Sequence, residues 1–151
     1  MVEVKVIKLP HYDMSFELPF YATEGAAGAD IRASLPEKKS LVVRPGERLL
    51  VPTGLSMEIP VGYEIQVRPR SGLSLKSSLM VVNSPGTIDS DYRGEVNIII
   101  GNFGKEDYII EHGLRIAQLV ISPVLQAKFK TVDGLSETQR GSGGFGSTGT
   151  R

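Results

Sequence analysis

The chain has 151 residues, and 17 Lys and Arg balance 17 Asp and Glu for a formal net charge of 0, so there is no excess positive field to hold a nucleic acid by its phosphates. It has no cysteine and only two histidines, His11 and His112, which excludes disulfides, thiolate nucleophiles, cysteine zinc sites and a histidine-rich metal centre. The length suits one domain with a real core, and a small phosphate-bearing ligand remains open to it.

The first residues, Met1-Val-Glu-Val-Lys-Val-Ile-Lys, alternate charged and apolar side chains and lack the uninterrupted apolar stretch of a secretion signal. No later run reaches membrane-spanning length. The expectation is a cytoplasmic protein with no membrane contact. Short runs rich in Val, Ile and Leu then recur, several with the period of two of half-buried strands. They are Val2–Ile7, Ser40–Val43, Leu49–Val51, Leu55–Ile59, Tyr63–Val67, Leu79–Val82, Val96–Ile100, Ile116–Ile121 and Phe129–Val132. Turn clusters separate them: Arg44-Pro-Gly-Glu47, Pro52-Thr-Gly54, Pro60-Val-Gly62, Ser84-Pro-Gly86 and Glu111-His-Gly113.

Helical spacing is confined to Arg70-Ser-Gly-Leu-Ser-Leu-Lys76, where one or two turns are expected after a Ser cap. These elements predict an all-β barrel or double-sheet jelly roll. A Gly-rich tail follows from Arg140, with one ring, Phe145, among hydroxyl residues. Ile98-Ile99-Ile100 puts apolar side chains on both faces of its strand, and a subunit contact is one way to cover the second.

Four interior segments carry polar residues where plain turns would serve. Asp30 enters a strand after small residues. Arg68-Pro-Arg-Ser-Gly72 offers a guanidinium, a hydroxyl and free N–H groups to a phosphate, or else is a capped turn with surface arginines. Asn83–Glu95 reads as a hairpin tip of unusual length and polarity, carrying Asp89, Asp91 and Tyr92, with a solvated loop as the alternative. In Arg115–Leu119, period two puts Arg115, Ala117 and Leu119 on one face, Ile116 and Gln118 on the other, and a buried Gln118 requires a hydrogen-bond partner.

Together with the tail, these segments resemble, in order and spacing, the five motifs of the homotrimeric dUTPases. Here the motifs are Ala27-Gly-Ala-Asp30-Ile31, Pro69-Arg-Ser-Gly-Leu73, Gly86-Thr-Ile-Asp-Ser-Asp-Tyr-Arg-Gly-Glu95, Arg115-Ile-Ala-Gln-Leu119 and Arg140-Gly-Ser-Gly-Gly-Phe-Gly-Ser-Thr-Gly149. The resemblance implies a distorted jelly-roll β-barrel over residues 1–139, one short helix, and a mobile lid over 140–151 belonging to the same domain. It implies a homotrimer whose active sites are shared between subunits. The implied reaction is Mg2+-assisted hydrolysis of dUTP to dUMP and pyrophosphate, which keeps uracil out of DNA and supplies dUMP for thymidylate synthesis.

By the same resemblance Asp89 is the base that activates water for attack on the α-phosphorus, and Asp30 holds Mg2+ through water. Arg70, Ser71, the Gly72 N–H and Gln118 hold the phosphate chain. Asn83 and backbone around Gly86, Thr87, Ile88 and Asn97 read uracil, and Tyr92 lies under the deoxyribose. Phe145 stacks on the base, while Arg140, Gly146, Ser147 and Thr148 close around the phosphates. Two departures from the family pattern, Ala29 for a bulkier residue and Ser77-Ser78 where a glycine is frequent, bear on packing. The related dCTP deaminases use a glutamate on the strand after the third motif, and Val96–Ile100 has none. A nucleotide-sensing regulatory role on the same scaffold requires loss of a catalytic group, whereas Asp89, Arg70, Gln118 and Phe145 are all present.

Overall fold

The structure is a computed structural model and describes residues 1–144. Its strands are β1 Lys5–Lys8, β2 Phe20–Tyr21, β3 Ala29–Arg32, β4 Leu41–Val43, β5 Arg48–Glu58, β6 Tyr63–Arg68, β7 Leu79–Val81, β8 Gly86–Ile88, β9 Glu95–Asn102, β10 Tyr108–Ile110 and β11 Arg115–Pro123, with one helix, α1, over Ser71–Lys76. They form a four-stranded sheet in the order β1-β5-β9-β7, a five-stranded sheet in the order β2-β3-β11-β6-β8, and the pair β10-β4. Every strand pairing is antiparallel. Ile31, Ile65, Val67, Ile116, Ala117 and Leu119 from one principal sheet meet Val51, Leu55, Ile98, Ile100, Leu79 and Val81 from the other in a single core, as a jelly roll requires. No helix among the described residues is long and apolar enough to cross a membrane.

Several sequence expectations change in detail. Leu49–Val51 and Leu55–Ile59 belong to one strand, because Pro52-Thr53-Gly54 is a bulge and not a turn. The β5–β9 register passes from Pro52 opposite Asn97 to Ser56 opposite Glu95. Gly54 has a φ of +68° and lies so close to the N-terminal segment that a Cβ would come within 2.9 Å of Tyr12 Cα, so both its backbone angle and its surroundings require glycine. Phe129–Val132 forms no strand. The short strands β2 and β10 carried too few residues for periodicity to register.

The long hairpin is present, since β7 pairs with β9, but its loop does not stay with that sheet. After the Val82 N–H donates to Ile99 O, the chain crosses and Gly86–Ile88 becomes the edge of the five-stranded sheet against β6.

The departures at Ser77 and Ser78 are absorbed locally. Ser77 Oγ donates to Leu73 O at 2.7 Å and closes α1. Ser78 Oγ donates to Oδ1 of the buried Asn102 at 2.7 Å, and Asn102 Nδ2 donates to Val43 O and Glu106 O. Ala29, the other departure, is buried opposite Leu119 and leaves an apolar groove of about 230 Å³ between it and Val2, Val4 and Val6.

The loop after β3 is held by charge. Glu37 and Lys38 have left-handed φ values of 52° and 55°, uncommon for residues with side chains. Lys38 Nζ reaches Asp13 Oδ2 at 2.6 Å. The same oxygen accepts from His112 Nε2 at 3.1 Å, while His112 Nδ1 accepts the Leu35 N–H, which fixes the tautomer of the neutral ring.

The Lys38 ammonium, then the Ser15 hydroxyl and N–H, then His112 hold the Asp13 carboxyl well below the usual carboxylate range. A carboxyl whose folded pKa lies below its unfolded value of about 4 stabilises the fold above that pH and ceases to do so as pH falls. Asp13→Asn is therefore expected to lower the melting temperature at pH 7 and to flatten the loss of stability between about pH 5 and pH 2. Parallel melting curves for the two proteins across that range check it.

Candidate active site

The five-stranded sheet assembles the first group of polar residues. Asp30 in β3 lies opposite Gln118 in β11, which lies opposite Arg68 in β6. Asp30 is buried. Its Oδ1 accepts from Arg70 Nε at 2.7 Å and its Oδ2 from Arg115 Nη1 at 3.1 Å, so one carboxylate orients two guanidiniums and leaves the group net positive. The helix α1 begins beside them. Its cap is Arg70, with no side-chain cap bond, so Ser71 is the first helical residue and not the cap expected from sequence. Ser71 and Gly72 are exposed, and nothing lies within 4 Å of where a Gly72 Cβ would be. Arg70, Gly72, Lys76 and Arg115 line a cleft of about 320 Å³.

Gln118 completes the group. Its Nε2 donates to Pro69 O at 2.8 Å, and its Oε1 occupies the space above Gly28, where a Cβ would come within 2.2 Å of it. The glycine of the first motif is thus what lets the fourth-motif amide lie flat. Strict alternation put Arg115 and Gln118 on opposite faces. The β3–β11 register slips between Arg115 and Ala117, Ile116 and Ala117 are both buried, and Arg115 comes round to the face of Asp30 and Gln118. Arg115 is the residue that the sequence reading missed as a site residue. The buried polar partner it shares with Arg70 has no signature in sequence spacing.

A second group lies on the crossing hairpin. Asn83, Thr87, Ile88, Asp89, Tyr92 and Asn97, with Leu50, Glu95, Val96 and Ile99, line a cleft of about 290 Å³, near the lower end of the size range of small-molecule sites. The buried Gly86 admits the Asn83 amide, since a Cβ there would be 3.0 Å from Asn83 Nδ2. Tyr92 folds its ring over Gly94, where a Cβ would be 2.4 Å from the hydroxyl, and donates to Glu95 O at 2.9 Å. Arg93 Nη1 ties the tip together by donating to Ser90 O and Tyr92 O. Asp89 is exposed and also borders a wider groove of about 630 Å³ with Tyr63, Glu64 and Leu125.

The two groups do not meet within one chain. From Asp30 to Ile88 the path crosses three interstrand steps and three residues along β6, a separation of about 17 Å at ordinary sheet spacings. Arg140 is exposed, its Nε donating to Gly143 O, and touches neither cleft. Phe145, Gly146, Ser147 and Thr148 lie outside the described residues. Among the described residues no cluster of three His, Cys, Asp or Glu could hold a metal ion. With both oxygens of Asp30 already accepting from arginines, its remaining acceptor capacity suits a water on a metal ion better than direct coordination.

Known proteins are similar to this chain over most of its length. A family model described as dUTPase covers residues 14–149. The deoxyuridine 5'-triphosphate nucleotidohydrolase of Chlamydia felis is 62% identical over 138 residues, covering 89% of this chain and 92% of its own. That of Roseobacter denitrificans is 58% identical over 149 residues, covering 99% and 97%. Among solved structures, the dUTPase of Staphylococcus bacteriophage 80alpha with dUpNHpp superposes with a TM-score of 0.85 at 29% identity, covering 97% of this chain and 98% of its own. A variant dUTPase of the S. aureus phage phi11, described for its coordination of a structural Mg(II) ion, gives a TM-score of 0.75 at 25% identity, covering 87% and 97%.

The close approach at Gly28 yields a direct test. Gly28→Ala is expected to push the Gln118 amide off Pro69 O and lower kcat/KM on the chain's nucleotide substrate by roughly 10- to 100-fold, while the flexible side chain yields and the melting temperature moves by only a few degrees. Steady-state kinetics beside a melting curve decide it.

Proposed function

This chain belongs to the dUTPase family and is a dUTP diphosphatase, hydrolysing dUTP to dUMP and pyrophosphate; from that premise we propose how its residues share the work and why it requires more than one copy. The observation that carries the proposal is the separation of two complementary half-sites in one chain. A nucleotide cleft lies on the hairpin, and a cationic phosphate cleft is lined by Arg70, Lys76 and Arg115, two of which Asp30 holds from behind. A substrate bound by both requires the hairpin of one subunit to face the phosphate cleft of another.

An apolar face supports that assembly. Leu50, Val42, Ile109, Met80, Val82 and Phe103 are exposed on and beside the sheets that carry β4, β5, β7, β9 and β10. Leu50 lies directly opposite Ile99. Contiguous apolar surface of this kind marks an association site. Leu50 and Ile99 also line the nucleotide cleft, so the contact that covers this face also walls the site. A homotrimer with shared sites satisfies both requirements, with closed symmetry presenting the same pair of half-sites at each interface.

Within such a site, uracil lies in the hairpin cleft and is read by the Asn83 side chain and by backbone groups at Gly86, Thr87, Ile88 and Asn97. Fixed backbone donors and acceptors leave cytosine unpaired at N3 and C4. A backbone wall also has no room for the methyl of thymine. The Tyr92 ring under the deoxyribose excludes a 2′-hydroxyl. Asp89, exposed at the mouth of the cleft, takes a proton from a water and directs it in line at the α-phosphorus, while pyrophosphate departs.

Arg70, the Ser71 hydroxyl, the open Gly72 N–H and Gln118 hold the phosphate oxygens and the charge that builds on them. Asp30 would hold Mg2+ through water, and the ion would supply neutralisation of part of that charge. The tail brings Phe145 over the base, and Arg140, Gly146, Ser147 and Thr148 to the phosphates. Ordering such a Gly-rich stretch costs roughly 1–2 kcal/mol per residue, so closure requires the triphosphate contacts.

Asp89→Asn is expected to bind dUTP yet release pyrophosphate more slowly by roughly 10²–10⁴-fold, and Arg70→Ala to be similarly impaired. Mixed and allowed to exchange subunits, the two variants should recover activity in about a quarter of their sites, where an intact Asp89 meets an intact Arg70. No recovery in exchanged mixtures refutes sharing. Leu50→Glu is expected to shift the protein to monomer in sedimentation and to abolish turnover, because the charge must be buried in the contact; an active monomer contradicts the assembly.

A further inference from the structure

We propose that Glu95 and His11, outside the nucleotide cleft's proposed contacts with substrate, form a clamp that sets sugar discrimination by fixing the position of Tyr92. The proposal rests on the sugar-wall reading of Tyr92 given above. Two side chains are tied to one atom. Tyr92 Oη donates to Glu95 O at 2.9 Å, and Asn97 Nδ2 donates to the same oxygen at 3.2 Å, using both of its acceptor directions. Tyr92 has no other side-chain hydrogen bond among the described residues and is half exposed, so the location of that carbonyl decides where its ring lies.

The Glu95 carbonyl is in turn fixed from behind. Glu95 Oε1 accepts from the Gly54 N–H at 2.7 Å and is 2.8 Å from His11 Nε2, both side chains being mostly buried. Gly54 is the positive-φ residue of the β5 bulge, where the ladder to β9 is interrupted and its N–H has no strand partner. The carboxylate supplies that partner. Leu9 N donates to Gly54 O, and Ser34 Oγ donates to His11 O, so His11 is anchored on the core side. Flanking bonds from Ser56 Oγ to Arg93 O and from Thr53 Oγ1 to Val96 O, each 2.6 Å, hold the rest of the hairpin base to the same bulge. The path from N-terminal segment to bulge to Glu95 to Tyr92 is continuous: hydrogen bonds reach the Glu95 carboxylate on one side and leave its backbone carbonyl on the other, joined by the covalent frame of Glu95.

A group acting through position alone should alter selectivity more than turnover. In side-by-side kcat/KM measurements with dUTP and UTP, Glu95→Ala is expected to lower the preference for dUTP about tenfold, the effect of one displaced buried hydrogen bond, with KM for dUTP rising more than kcat falls. Glu95→Gln, whose amide oxygen still accepts both bonds, should restore the preference. His11→Ala removes one support of two and should lower it about threefold; it also carries the test if Glu95→Ala does not fold. Tyr92→Ala separates the two levels of inference. If it destroys the preference while Glu95→Ala and His11→Ala leave it intact, the clamp is refuted and the sugar wall stands. If Tyr92→Ala itself leaves the preference intact, the sugar wall fails and the clamp with it. A Glu95→Gln protein as unselective as Glu95→Ala also overturns the hydrogen-bonded clamp.

Discussion

A strand that is apolar on both faces governs much of this molecule. β9 runs through the four-stranded sheet between β5 and β7, with Ile98 and Ile100 fully buried in the core and Ile99 turned outward beside Leu50. Apolar area gains about 25 cal/mol per Å² when removed from water, so the inner side chains bring the two sheets together and the outer ones favour covering by another surface. The hairpin that precedes β9 grows out of the same edge. The cleft on that hairpin therefore borders the apolar face, and in the proposed trimer the force that drives association also completes the proposed site.

The crossing of residues 82–94 between sheets explains the division of labour. A hairpin confined to one sheet would end in a floppy tip. Here Gly86–Ile88 is pinned as an edge strand on β6, Arg93 closes the turn, and the β5 bulge grips the other end through Ser56, Thr53 and Gly54. Residues that must recognise a ligand are thus carried on a loop with ordered ends, which lowers the entropy lost on binding. The cationic half-site is built differently. Asp30 sits inside a sheet and offers one carboxylate oxygen to each of two arginines, which satisfies its own burial and fixes both side chains at one place.

Glycine spacing links the two strategies. At Gly28, Gly86 and Gly94 the missing Cβ makes room for a functional side chain, the amide of Gln118, the amide of Asn83 and the ring of Tyr92 respectively. In sequence these positions look like turn punctuation. Their role comes from which side chain crosses over them, and that depends on strand pairing between segments 90 residues apart in the case of Gly28 and Gln118.

What the sequence determined by itself was the class of fold and the family. Period-two apolar runs need only local information, and five motifs in fixed order carry the family even where no single one suffices. It also showed, through Ile98-Ile99-Ile100, that β9 is apolar on both faces. Tertiary structure alone decided that Pro52-Thr53-Gly54 is a bulge, because a turn cluster and a bulge share residue types and differ only in the register of the partner strand. It alone brought Arg115 to the face of Gln118, against simple alternation, since one slipped residue in the pairing with β3 reverses a side chain's face. It alone separated Asp30 from the edge strand before Asp89 by three interstrand steps. Distance across a sheet is set by strand order, and strand order depends on which edges find each other in three dimensions.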